Sequence, residues 1–263
     1  MVAFYAIQEA RLSYIYVLKN FRVFLRIGGP WVFTTSAITF WILLYANNNQ
    51  ESHIKQGMTG ALAVIASILA ISLTFPVFML SWHRFVLLEK HPRYGVFPPG
   101  RATWSFLWRW WFASNLLSTF DKTILPAAPK LAGMLGLSDA TLIHNVLGVF
   151  VYLFALLFVS LYALGLPAIV VGDQAALRSA TKSRARLGRS FGLGMVISAI
   201  LYPATDLLPS ASLFAGPYAI AGFATLSIIS AVAQYFGLAV VSTYLCRAFV
   251  ITHPGYGSDR MAV

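Results

Sequence analysis

From Gly57 to Ser81 the chain carries no Asp, Glu, Lys, Arg or His. That run exceeds the ~20 residues an α-helix needs to cross the hydrocarbon core of a bilayer. In lipid, a chain must satisfy its backbone N–H and C=O groups internally, so such a run folds as a helix. Further apolar runs recur at Trp31–Ala46, Thr103–Phe120, Val146–Val171, Phe191–Leu208 and Tyr218–Val241 or beyond. Composition agrees. Of 263 residues, 59% are hydrophobic and 10% charged, against roughly 25% charged in a soluble domain. The expectation is an all-α integral membrane protein with six transmembrane helices, arranged as three hairpins.

Trp82–Trp111 reads as a basic, aromatic loop between the second and third spans. It holds Arg84, Lys90, Arg93, Arg101 and Arg109, and five of the seven tryptophans. Positive charge beside a membrane-length run marks the cytoplasmic side, and clustered Trp marks the headgroup level. Trp82, His83, Arg84, Trp104, Trp108, Trp110 and Trp111 are therefore expected to form an interfacial belt. With this loop inside, sixteen of the nineteen Lys and Arg residues fall on the cytoplasmic side. Lys55, Lys122 and Lys130 fall outside. Both termini are then cytoplasmic.

The flanks divide the chain further. Residues 1–29 are too often charged to span and read as a cytoplasmic amphipathic helix, ended by Gly28-Gly29-Pro30. Arg11, Lys19, Arg22 and Arg26 share one face, and Tyr14, Val17, Leu18, Phe21 and Phe24 fall mainly on the other, the pattern of a helix at the membrane surface. Gln8, Glu9 and Arg11 stand where the apolar region of a cleavable signal would lie, so the first span is expected to be retained. Residues 30–251 form the predicted six-helix bundle, and 252–263 a polar tail. Between the fourth and fifth spans, Arg178, Lys182, Arg186 and Arg189 recur at helical spacing after Asp173, a basic stripe suited to anionic lipid or an acidic partner surface.

Chemistry is harder to find. The chain has no phosphate-binding loop, no Gly-x-Ser-x-Gly, no His-Glu-x-x-His and no dinucleotide fingerprint. The lone Cys246 excludes an internal disulfide and reads as a packing residue. His53, His83, His91, His144 and His253 all fall at predicted boundaries, so no cofactor and no metal site is expected. Gln234 is the strongly polar residue near the middle of a span, read as an interhelical hydrogen bond. Small residues at Gly133, Gly136, Ala231, Ala233 and Gly237 suit close helix contact. The net charge of +11 reflects inward-facing loops rather than nucleic acid.

Two stretches carry a resemblance. Trp82-His83-Arg84-Phe85-Val86-Leu87-Leu88-Glu89 is the first. Leu166-Pro167-Ala168-Ile169-Val170-Val171-Gly172, followed by Leu177-Arg178-Ser179-Ala180, is the second. Both resemble a pattern in uncharacterised multi-pass inner-membrane proteins of alphaproteobacterial type, similar in layout to the membrane domain beside some glycerophosphodiester phosphodiesterases. The resemblance implies a bacterial inner-membrane bundle and supplies no catalytic residues. Together these readings favour a non-catalytic accessory, assembly or scaffold protein contacting anionic phospholipid and other membrane proteins or itself. The second reading is a small-molecule or lipid transporter, suggested by Pro203, Asp206, Pro209 and Pro217 in and after the fifth span.

Reporter fusions test the predicted topology. Those after Gln50, Lys130 and Ser212 should report outside, and those after Pro98, Ser183 and Asp259 inside. One reversal among the interior loops contradicts the hairpin scheme.

Overall fold

The computed structural model describes residues 2–49, 58–88, 100–119, 163–173 and 219–253. Their elements are all helical: α1 (Val2–Lys19), α2 (Phe21–Asn49), α3 (Met58–Leu88), α4 (Arg101–Thr119), α5 (Leu166–Val171) and α6 (Ala219–Thr252). Three of them are long and apolar enough to cross a membrane, over Phe21–Tyr45, Ile65–Leu88 and Ile220–Ile251. Among the described residues the protein is all-helical, with the helices of a membrane protein. The predicted fifth span and residues 146–162 of the predicted fourth lie outside the described residues.

The first helix break falls at Asn20 rather than at Gly28-Gly29-Pro30. Asn20 gives both its backbone N–H (3.0 Å) and its side-chain Nδ2 (2.9 Å) to the Tyr16 carbonyl, closing α1. Phe24 N–H then bonds Asn20 O at 2.9 Å, so α2 starts at once. Pro30 sits inside α2, a position that membrane-length helices tolerate. Thr34 Oγ1 donates to Pro30 O at 2.9 Å.

Gly28 is needed for packing rather than for a break. A Cβ there would meet Phe78 Cε2 at 3.2 Å, whereas one at Gly29 would meet nothing within 4 Å. The two glycines thus have different duties. Gly28 lets α2 approach α3 closely.

Helix α3 runs to Leu88, so Trp82, His83 and Arg84 belong to a helix and not to a loop. Its burial changes along its length. Leu62, Ile65, Leu69 and Leu73 are each more than half exposed, while Val77 to Leu80 and Phe85 to Leu87 are buried. On α6, Ile220, Ile228 and Ile229 are exposed, and Leu238 to Val250 is buried on every face. The protein core therefore gathers where the second half of α3 and of α6 meet α1, the start of α2, α4 and α5.

Helix α5 is short for a covalent reason. Pro167 lacks the N–H that would bond the carbonyl of Ala163, and a turn at Leu164-Gly165 precedes it. Its far end closes on Gly172, at φ 78°, whose N–H bonds Ile169 O (3.2 Å) while Asp173 N–H bonds Ala168 O (3.1 Å). That is a glycine C-cap in the left-handed region, which a side chain would strain.

Substituting Gly28 by Leu should overpack the contact with Phe78 and cost about 1–3 kcal/mol. Gly29→Leu, in open space, should not. Thermal aggregation of the detergent-solubilised full chain separates the two, and equal behaviour would remove the assigned role of Gly28.

Candidate functional site

The three candidate spans meet through hydroxyl groups. Tyr235 OH on α6 donates to Thr74 Oγ1 on α3 at 2.6 Å, and Thr74 Oγ1 donates to Ile71 O at 2.7 Å. Thr35 Oγ1 on α2 lies 2.9 Å from Tyr235 OH. Since the single phenolic proton points to Thr74, Thr35 is the donor in that pair. The result is a directed chain, Thr35 to Tyr235 to Thr74 to a carbonyl, in which every hydroxyl proton is used. Each of the three residues stands within three positions of the centre of its span. Beside it, Ser36 Oγ bonds Val32 O at 2.7 Å and approaches Ser227 O of α6 at 3.4 Å.

An aromatic cluster continues from this chain towards the α1 side. Phe78 lies edge-on to Tyr235 with ring centroids 5.1 Å apart, and stacks on Trp82 at 6.2 Å. Phe24 meets Phe78, Trp82 and Phe236 edge-on at 6.0–6.2 Å. Trp82 Nε1–H donates to Thr243 Oγ1 of α6 at 2.9 Å, and Thr243 in turn bonds Ala239 O. Buried tryptophan N–H groups normally require such a partner.

His83 faces elsewhere. It is completely buried, with its ring 5.4 Å from Phe106 of α4 in a T-shaped contact. Its Nδ1 lies 2.7 Å from Met79 O. A carbonyl only accepts, so Nδ1 carries the proton and Nε2 presents a lone pair. That Nε2 is buried with no hydrogen-bond partner among the described residues. Among those residues, no three His, Cys, Asp or Glu side chains gather to hold a metal.

The ends of the described fold are joined by charge. Arg247 Nε of α6 donates to Glu9 Oε2 of α1 at 2.5 Å, with the two side chains 9% and 18% exposed. Ser13 Oγ bonds Glu9 O at 2.7 Å. On the same helix, Tyr14 lies 6.3 Å from Phe236, and burial pushes its phenol above its usual range. Helix α1 therefore packs its face on α6, holding Ala10, Tyr16 and Val17 inside.

The residues expected to form the interfacial belt divide. Trp82 and His83 are buried inside the bundle, and Arg84 is partly covered. They are core rather than rim, because α3 continues two turns past Ser81. Trp104, Trp108 and Trp111 are 66%, 63% and 47% exposed on α4, Trp110 is partly buried, and Trp108 stacks on Trp111 at 5.3 Å. Arg11, Lys19, Arg22 and Arg26 are all exposed. The apolar face opposite them splits, with Val17 and Phe24 buried and Leu18 and Phe21 exposed. Gln234 donates to Ser230 Oγ at 3.1 Å within α6, so that polar bond is intrahelical where an interhelical one was expected. Cys246 is buried. Arg178, Lys182, Arg186 and Arg189 lie outside the described residues.

Sequence reading missed the hydroxyl chain and the Glu9–Arg247 pair. Thr and Ser in apolar helices usually bond their own backbone, so type and spacing did not single out Thr35 or Thr74. Tyr235 left a signal, as a phenol deep in an apolar run. No protein-family model, curated protein or solved structure matches the chain.

Two substitutions separate the weights of these contacts. Tyr235→Phe should cost about 0.6–1.7 kcal/mol, the range of hydrogen bonds between membrane helices. Glu9→Ala should cost more, about 1.5–3 kcal/mol, because it leaves a largely buried guanidinium without its carboxylate. Adding Arg247→Met to Glu9→Ala should recover part of that loss. With Arg247→Met alone completing the cycle, a double-variant loss equal to the sum of the two single losses would show that the two charges are not coupled.

Proposed function

We propose that this is a non-catalytic accessory, assembly or scaffold protein of the bacterial inner membrane. It crosses six times with both termini cytoplasmic and contacts anionic phospholipid and other membrane proteins, or further copies of itself. The observation that carries the reading is where apolar side chains are left outward. Phe33 of α2, Leu69 and Leu73 of α3, and Ile228 and Ile229 of α6 are all exposed on the candidate spans. The hydroxyl groups of Thr35, Tyr235 and Thr74 between those spans are meanwhile consumed by one another and by the Ile71 carbonyl. Small and apolar outward residues suit helix partners, and the exposed basic residues suit an anionic leaflet.

A photo-crosslinking residue at Leu69 or Ile228 in cells tests the partner contact. A discrete protein adduct is expected from these positions and none from buried Leu245. Lipid adducts alone, together with measurable solute uptake by reconstituted protein, would contradict the reading. The basic stripe has its own test. Replacing Arg178, Lys182, Arg186 and Arg189 by Gln should preserve topology, given the remaining inward basic residues, and reduce co-purifying anionic lipid or partner. Unchanged bound molecules would leave the stripe as an orientation signal alone.

A further inference from the structure

Lys19 and Arg22 flank Asn20, where α1 ends and α2 begins. Both are exposed, and so are Leu18, Phe21 and Leu25 on the same turns, at 59%, 42% and 52%. Arg22 and Leu25 stand at i, i+3 on the first turns of α2, and Leu18 and Arg11 stand at i, i−7 on α1, so each helix brings one basic and one apolar side chain to the junction. Large apolar side chains are costly on a surface in water, and basic ones are costly in hydrocarbon. The boundary between headgroups and acyl chains suits both.

The position of α2 fixes which boundary this is. Its apolar window opens at Phe21, so Arg22 and Arg26 occupy the first turns of a helix long enough to span. Helical side chains lean towards the N-terminus. These arginines therefore lean away from the hydrocarbon, back to the elbow where Lys19 stands. The acid of α1 and α2 is Glu9, and its carboxylate is directed to Arg247. The elbow is thus basic, apolar and set at the edge of a span.

We propose that the α1–α2 elbow is a binding site for an anionic phospholipid. Lys19 and Arg22 hold the phosphate, Arg11 extends the positive field, and an acyl chain lies along Leu18, Phe21 and Leu25. The site rests on the membrane reading above and gives its lipid contact a place and a chemistry. It is separate in sequence from the basic stripe at Arg178, Lys182, Arg186 and Arg189, which lies outside the described residues.

The test uses the full chain in phosphatidylcholine vesicles containing spin-labelled phosphatidylglycerol or spin-labelled phosphatidylcholine, and reads the motionally restricted fraction of each. The unaltered protein should prefer phosphatidylglycerol. Lys19→Gln with Arg22→Gln should reduce that preference by roughly tenfold or more. The charge-preserving pair Lys19→Arg and Arg22→Lys should keep it, as should Arg101→Gln at the exposed start of α4. Leu18→Ser with Leu25→Ser should also lower the restricted fraction of phosphatidylglycerol. Equal retention of the two lipids, or an unchanged preference in the Gln pair, overturns the proposal. So does displacement of the lipid by water-soluble glycerophosphoglycerol, which would mark a small-anion site. Loss of the elbow preference with the Leu69 protein adduct intact removes this site alone. Loss of that adduct as well removes the scaffold reading.

Discussion

The contact of Phe24, Phe78, Trp82 and Tyr235 is what the remaining packing depends on. It joins α2, α3 and α6, the three helices long and apolar enough to cross a membrane. In lipid, burying one apolar surface against another gains little, because the tails are as apolar as leucine. Close packing and interhelical hydrogen bonds must supply specificity. Edge-on aromatic pairs contribute about 0.5–1.5 kcal/mol each beyond area, and this cluster adds hydrogen bonds at both ends. Thr35, Tyr235 and Thr74 close one end, and Trp82 with Thr243 the other. Gly28 permits the approach by presenting no side chain to Phe78.

From that junction the molecule divides into two kinds of surface. Towards the start of α3 and of α6, apolar side chains point outward, as lipid or helix partners require. Towards the far ends of the same helices, α1, α4 and α5 wrap them, and the outward residues become Arg11, Lys19, Arg22, Arg101, Trp104 and Trp108. The Glu9–Arg247 pair lies within this wrapped region. An ion pair so placed costs desolvation on both sides and offers little net stability. Its effect is positional: it fixes where α1 lies on α6.

Helix identity was legible from the apolar runs, because lipid admits few alternatives. The start of α4 was read within two residues. The predicted fourth span ends at Val171 as α5 does, although a turn at Leu164-Gly165 interrupts what was read as one helix. Helix ends elsewhere were not legible. The polar group at Trp82-His83-Arg84 looked like a boundary, yet α3 runs through it to Leu88 because Trp82 finds Thr243 and His83 finds Met79. Gly28-Gly29-Pro30 looked like a break because its glycine serves interhelical contact, which a single chain pattern does not distinguish from a turn. The hydroxyl chain was illegible because its members are far apart in sequence. The exposure of Arg11, Lys19, Arg22 and Arg26 agrees with their polarity. That Val17 and Phe24 face protein, while Leu18 and Phe21 do not, depends on where α6 lies.

The most direct test of the account is the environment of the outward apolar residues. A nitroxide placed singly at Phe33, Leu69 or Ile228, in a Cys246→Ala background reconstituted in liposomes, reports collision with oxygen or with a water-soluble nickel chelate. The account predicts high oxygen and low nickel accessibility at all three positions, and the reverse at Arg11. Nickel accessibility at Phe33, Leu69 and Ile228 as high as at Arg11 would place these faces in water and contradict it.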